Sequence, residues 1–248
     1  MDAPVSVNVF KNHKMNGESS RKVINAYDLP NIRSSLTMSF WLKVDSSIGD
    51  NKENSNIIKI GSNRNRLFDL SLLPNNKNLG IFVKTGNEVD GLVSSSRELP
   101  KDRMVNIICV VNGGIKRENG WILGVHSNGN KYIANEVTRT RYDVSNQLVQ
   151  ENYGSYVVTK MDSSNFRNLG KLNANDIEPS VKLYFNGELV DDQPLKAVPK
   201  LSKDVVYVND NGKFRGEIND LRFYNYPIDG YEIQKLASFR STSVCKSI

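Results

Sequence analysis

Short runs in which apolar and β-branched side chains recur at every second position fill most of this chain. Turn-formers separate them. That period of two constrains the fold more than any other feature, because it puts one side of each run on a core and the other toward solvent. Leu36 to Val44 shows it best: Leu36, Met38, Phe40 and Leu42 fall on one face, and Thr37, Ser39, Trp41 and Lys43 on the other. Val5 to Phe10, Ile57 to Ile60, Leu67 to Leu73, Leu79 to Lys84 and Val89 to Val93 read as further strands. So do Met104 to Val111, Val181 to Phe185, Glu188 to Val190, Val205 to Val208, Phe214 to Ile218 and Leu221 to Tyr224. Gly61-Ser62-Asn63, Pro74-Asn75-Asn76, Gly86-Asn87 and Asn186-Gly187 mark turns, the last being the dipeptide of a two-residue hairpin. One segment reads as a helix. Asp229 precedes it, Glu232 stands three residues on as in a capping box, and Ile233, Leu236 and Ala237 supply its apolar side. Many short strands at this spacing predict an all-β sandwich or barrel.

The chain can fill such a core. It has 248 residues, 38% of them hydrophobic, which excludes collagen-like and disordered classes. No repeat of solenoid or propeller period occurs. The formal charge of +6 raises the prospect of an anionic partner. The positive charges are scattered among acidic ones, however, and the acid-free basic stretch is the C-terminal one with Lys235, Arg240 and Lys246. No clustered basic run interleaved with aromatics signals nucleic acid. Cys109 lies in an apolar run and Cys245 in a polar tail, so no disulfide framework is expected. No stretch is long and apolar enough to span a membrane, and no secretory leader is visible at Met1-Asp2-Ala3-Pro4.

Three blocks carry a family resemblance. Leu36 to Asp45 resembles an early strand of the form sFWlk, in which Phe40 and Trp41 are the fold motif. Val181 to Val190 is similar to a kLYvNGelv hairpin, with Tyr184, Asn186 and Gly187. Phe214 to Ile228, with Phe214, Gly216 and Ile218, resembles a closing strand followed by a short helix. In this order the blocks resemble the concanavalin A-like lectin/glucanase superfamily, and within it laminin-G-like and pentraxin-like modules. The resemblance covers about residues 20–112 and 180–240. It implies a two-sheet antiparallel jelly-roll sandwich with one short C-terminal helix. On that reading residues 1–240 form a single domain, 113–179 are an inserted region, and 241–248 are a polar tail. Gly216 is expected to allow a close backbone approach, with Phe214 and Ile218 facing the core together. The insertion departs from the family pattern, as does Arg103-Met104-Val105 where a Trp is usual. It holds Trp121, Tyr132, Tyr142, Tyr153, Tyr156 and Phe166, and strand-like runs at Trp121 to Val125 and Ser155 to Lys160.

Catalysis finds little support. Glycan-cleaving members of the superfamily carry E-x-D-x-x-E on one strand, where two carboxylates flank the scissile bond. Glu88-Val89-Asp90 begins that pattern, but Val93 stands where the second Glu belongs. Glu217 and Asp220 have the wrong spacing and are expected on opposite faces. His13 and His126 lack neighbouring metal ligands. No nucleophile elbow, P-loop or dinucleotide fingerprint occurs. No catalytic residue is therefore assigned, and the chain is read as a non-enzyme. By the resemblance, calcium is the cofactor to consider. Asn209, Asp210 and Asn211 are the candidate loop, although Asn211-Gly212 equally suits a plain turn. Asp191-Asp192 is a lesser candidate. For a glycan, Trp121, Tyr132 and Tyr142 of the insertion are candidates, while Tyr224 and Tyr226 on a strand face read more simply as core.

Two functions follow. The first is a non-catalytic structural module of a larger assembly, with protein partners. A stand-alone copy rich in Asn and Lys resembles the type found in large DNA viruses, as a minor capsid or surface protein of the virion. The second is a carbohydrate-binding lectin-like module for attachment, with a degenerate glycoside hydrolase behind both. The Asn content bears on compartment. Chance would give roughly four N-x-S/T acceptor sites among so many Asn, Ser and Thr, yet none occurs. Together with unpaired cysteines this points to a chain folded in the cytoplasm.

Overall fold

A computed structural model of the chain describes residues 6–16, 20–47, 52–62, 65–74, 77–85, 87–93, 97–118, 121–125, 131–135, 139–142, 148–151, 159–160 and 178–238. Two six-stranded antiparallel sheets dominate it. The first runs β1 (Ser6–Asn16), β18 (Arg215–Tyr224), β3 (Leu36–Val44), β8 (Val105–Asn112), β15 (Ser180–Phe185) and β16 (Glu188–Pro194) from edge to edge. The second runs β2 (Lys22–Ile24), β17 (Val206–Val208), β4 (Ser55–Ile60), β5 (Phe68–Leu72), β6 (Leu79–Thr85) and β7 (Glu88–Val93). This is the two-sheet antiparallel sandwich that the resemblance implies, and it settles the choice of sandwich or barrel that the period of two left open. Alternate residues of both sheets form one core: Leu36, Met38, Phe40 and Leu42 of β3 with Ile107 and Cys109 of β8, against Phe68 and Leu70 of β5 and Ile81 and Val83 of β6. Phe40, Phe68, Phe185, Phe214 and Phe223 are fully buried, each contributing roughly 2 kcal/mol by removal from water.

Part of the outer face of the first sheet is covered by a helix. Helix α1 (Gly230–Ser238) lays Ile233 and Leu236 on Ile108, Val110, Tyr184 and Tyr224 in a second apolar cluster. Its start is a reciprocal capping box: the Glu232 N–H donates to Asp229 Oδ1 at 2.8 Å, and the Asp229 N–H to Glu232 Oε2 at 3.3 Å. Tyr224 and Tyr226 meet edge to face at 5.8 Å beneath it, so this aromatic pair is packing.

The hairpin and the close approach are both present. Asn186 and Gly187 hold φ of 51° and 83°, the left-handed pair of a type I′ turn. The Asn186 N–H donates to Asn106 O, and the Asn106 N–H to Asn186 Oδ1, locking the turn to β8. At Gly216 a Cβ would stand 1.9 Å from Lys43 O, so β18 can lie against β3 only without a side chain there.

Four features differ from the sequence reading. Phe214 to Ile218 and Leu221 to Tyr224 are not two strands, because β18 runs through from Arg215 to Tyr224. A bulge between Asn219 and Arg222, with Asp220 at φ 54°, absorbs the break in alternation. That bulge also corrects the placement of Asp220. Its carboxylate accepts from Arg222 Nε at 3.0 Å, on the face that carries the Glu217–Lys43 pair. The strand β2 has three residues, too few to display a period of two in the sequence. The insertion holds more strands than the two expected: β9 (Ile115–Glu118), β10 (Trp121–Val125), β11 (Lys131–Asn135) and β14 (Thr159–Lys160) form one sheet, and β12 (Arg139–Tyr142) pairs with β13 (Leu148–Glu151).

Replacing Gly216 by Ala should lower unfolding free energy by about 3 kcal/mol or more, since a backbone carbonyl cannot move aside as a side chain can. Urea denaturation measures it, and a loss below about 1 kcal/mol would contradict the tight approach.

Candidate functional site

The inward residues of the second sheet determine what its outer face presents. With Val206 and Val208 inward, Tyr207 points out; with Ile58 and Ile60 inward, Lys59 points out. Phe68, Leu70 and Leu72 likewise turn Asp69 and Ser71 outward, and Ile81 and Val83 turn Phe82 and Lys84 outward. Register aligns these residues into an unbroken row across all six strands: Val23, Tyr207, Lys59, Asp69, Phe82 and Gly91. A second row holds Asn56, Ser71 and Gly80. The bulge between Asn56 and Ile58 keeps Asn56 on this polar side.

Two linked polar groups occupy the middle. Lys59, 3% exposed, pairs with Asp210 through Nζ and Oδ2, and Arg21 Nη2 reaches Asp210 Oδ1 at 2.7 Å. Both cations also lie 5.0 Å from the centre of the Tyr207 ring, a favourable placement against its negative face. Next to them, Asp69 is fully buried. Asn56 Nδ2 donates to both its oxygens, at 3.1 and 2.9 Å, and the Ser71 hydroxyl donates to Oδ1. Arg66 Nε stands 3.4 Å from Oδ2. Burial pushes the Asp69 carboxyl above the ordinary carboxylate range, and the bonds from Ser71 and Asn56 and the charges of Arg66 and Lys59 oppose that rise.

Beside this polar group lies an aromatic platform. Phe82 is partly exposed. A Cβ on Gly80 would stand 3.2 Å from one edge of its ring, and a Cβ on Gly91 would stand 3.1 Å from the other. The ring therefore lies across the space that two missing side chains leave, one on its own strand and one on β7. Such a ring offers an apolar surface with Asp69 as its direct cross-strand neighbour, and with Asn56, Lys59 and Tyr207 farther along the same sheet face. That combination suits a ligand with one apolar face and a polar rim.

The sequence-named residues fall elsewhere. Asn209 Oδ1 accepts from the Phe214 N–H at 3.0 Å, and its Nδ2 donates to Ser20 Oγ at 3.0 Å and Phe214 O at 3.3 Å. Asn211 Oδ1 accepts from the Asn56 N–H at 3.2 Å, and its Nδ2 donates to Asn54 O at 2.7 Å. With Asp210 held by Lys59 and Arg21, the Asn209–Asn211 loop is fastened to neighbouring segments by its own side chains. Among the described residues no group of three His, Cys, Asp or Glu is placed to hold a metal. The backbones of Trp121, Tyr132 and Tyr142 lie on β10, β11 and β12, and their side chains lie outside the described residues. Glu88 pairs with Lys196 at 3.2 Å, and Asp90 accepts from Thr85 Oγ1 at 2.8 Å and the Lys196 N–H at 2.9 Å. Cys109 is buried, which pushes its thiol far above the ordinary range. Sequence reasoning missed Lys59, Asp69, Ser71 and Phe82. The available signal was a charged or aromatic residue at the off-positions of otherwise apolar strands.

Fold and site together define a two-sheet antiparallel β-sandwich with a polar, aromatic-bearing outer sheet face. No family model matches the chain, and no curated protein matches it. Solved structures do. The chain is similar to the ligand-binding domain of botulinum neurotoxin serotype D, solved in complex with N-acetylneuraminic acid, at TM-score 0.53 and 16% identity over 93% of this chain. It is similar to the receptor-binding domain of the C/D mosaic serotype at TM-score 0.52 and 15% identity, again over 93% of this chain. The chain spans 43% of the length of each of those two domains. The binding domain of neurotoxin DC in complex with SialylT matches at TM-score 0.50 and 11% identity, over 94% of this chain and 45% of that one.

The Asp69 carboxyl holds its proton more tightly folded than unfolded. Its contribution to stability is therefore present below the unfolded value, ordinarily 3.8, and is lost as pH rises through the raised folded value. Wild type should lose urea resistance relative to Asp69→Asn as pH climbs through that window; the opposite trend would show that burial does not dominate. Asp210→Asn leaves Lys59 buried with a weaker partner. It should cost about 3 kcal/mol in the same assay, and a change under about 0.5 kcal/mol would contradict the pairing.

Proposed function

We propose that this chain is a non-catalytic, carbohydrate-binding module of lectin type that takes its glycan on the outer face of the second sheet, over Phe82. The position of the Phe82 ring across Gly80 and Gly91 carries this reading. A pyranose has a face of C–H groups that packs on an aromatic ring, and hydroxyls at its rim that need polar partners. Polar groups follow along the same face, with Asn56 two strands from Phe82 and Tyr207 three. The neighbouring carboxylates are committed. Asp210 is held by two cations and Asp69 by Asn56 and Ser71, so neither is set to act as a nucleophile or an acid on a glycosidic bond. The likeness to neurotoxin binding domains, two of them solved with N-acetylneuraminic acid and SialylT, supports binding over turnover. The motif blocks around Phe40, Asn186 and Phe214 support descent from the concanavalin A-like, laminin-G-like group.

A second reading is a structural or attachment module of an assembly such as the virion of a large DNA virus, folded in the cytoplasm, with protein partners on the insertion. The absence of any N-x-S/T site among so many Asn residues supports it. The two readings are compatible where the module is displayed on a particle.

A glycan array with wild type and Phe82→Ala tests the first reading. Wild type should retain a defined set of glycans, and Phe82→Ala should weaken binding at least tenfold while melting at nearly the same temperature. Unchanged retention by the variant would remove Phe82 as the platform.

A further inference from the structure

We infer that the sugar stacked on Phe82 is an acidic one, bearing a carboxylate or sulfate, and that Arg66 and Lys84 are the residues that recognise the charge. This rests on the reading of Phe82 as the glycan platform and adds the class of ligand.

The charges on the outer face are unevenly spent. Arg21 and Lys59 both pair with Asp210 at the β17 end. At the Phe82 end the carboxylate is Asp69, which is fully buried and whose carboxyl is pushed toward its protonated form. Arg66 reaches that group through Nε at 3.4 Å, and its side chain is 50% exposed. Lys84 Nζ bonds an uncharged partner, Asn65 Oδ1, at 2.9 Å. The carboxylate of Glu88, on the adjacent strand, pairs with Lys196. Two cations with weak or neutral partners thus stand at the end of the face that carries the partly exposed ring.

Their placement suits a charged sugar. Lys84 follows Phe82 at the next same-face position of β6, roughly 7 Å along the strand. Arg66 lies against Asp69, the direct cross-strand partner of Phe82. The Lys84 N–H donates to Leu67 O at 3.0 Å, which ties the Arg66 segment to the end of β6. The acidic substituent of a pyranose projects from the rim of the ring, so a sugar stacked on Phe82 extends its charge outward to about this distance. With Nε turned to Asp69, the guanidinium keeps its Nη donors for the paired geometry that carboxylate and sulfate accept.

The experiment compares an array of uronate- and sulfate-bearing glycans with their uncharged parents, at low and at physiological salt, for wild type, Phe82→Ala, Lys84→Gln and the Arg66→Gln/Lys84→Gln pair. Thermal melting checks that each variant folds. We expect acidic glycans to bind wild type at least tenfold more tightly than their parents. The double variant should erase that preference while keeping the weaker parent binding, Lys84→Gln should reduce it in part, and Phe82→Ala should lose both. Equal binding of acidic and uncharged glycans overturns the inference and leaves the platform standing. No glycan binding by wild type overturns the platform reading itself. Competition by inorganic sulfate at the same concentration as the acidic glycan would show an ion site without a sugar, and also overturns the inference.

Discussion

The apolar contact between the two six-stranded sheets sets where the other side chains of those sheets go. A strand has two faces, so burying Ile58 and Ile60 obliges Lys59 to point away, and burying Phe68, Leu70 and Leu72 obliges Asp69 and Ser71 to do the same. A slip of one residue in β5 would bring a carboxylate into the core and expose three large apolar groups, at several kcal/mol each way. Register is therefore held far more strongly by the inner face than by any polar bond on the outer one. The row from Val23 to Gly91 is a consequence of that inner packing.

The two outer faces are treated differently. On the first sheet, Ile108, Val110 and Tyr224 are apolar and are covered by α1, whose capping box fixes where it begins. The helix in turn sits on the Asn186-Gly187 turn: Gln234 Nε2 donates to Gly187 O at 3.0 Å, and a Cβ on Gly187 would meet Ala237 at 3.0 Å. Turn, helix and outer face thus close one side of the sandwich. On the second sheet the corresponding positions are Lys59, Asp69, Ser71 and Phe82, whose charged members find their partners within the face itself, in Asp210, Arg66 and Asn56. The chemistry of that face makes it the side suited to a polar ligand.

Much of this architecture was legible in the residues. The alternation of Leu36 to Val44, the Asn-Gly turn, Gly216 and the Asp229–Glu232 box each act over a few residues, so the sequence displays them directly. The outer-face site is not local. Lys59 and Asp69 are cross-strand partners, Asp210 comes from the far side of the chain, and Gly91 lies on a different strand from the ring it underlies. Only register brings them together, and register across sheets built from distant strands cannot be read from a single chain. Trp121 and Tyr132 stand out more in the sequence, as aromatics within an insertion. The bulge at Asp220 was hidden for a similar reason: a residue at φ 54° breaks alternation without ending the strand.

The buried pair on the outer face bears on function through its energetics. A lysine and a carboxylate taken out of water are generally no more stabilising than apolar residues of similar volume. The patch under α1 on the first sheet shows that this chain can build part of an outer face from Ile, Val and Tyr. Stability alone therefore does not account for Lys59, Asp210 and Asp69 on the second sheet. What the polar set supplies is rigidity of position: Asn56 is held by Asp69 and Ser71, and Tyr207 by two cations at 5.0 Å. Under the proposed reading, a ligand on this face would meet polar groups already fixed in position and would lose little ordering entropy on binding. A face built at such expense, beside a ring laid over two glycines, is better explained as a preorganised surface for a polar ligand than as a lid on a core.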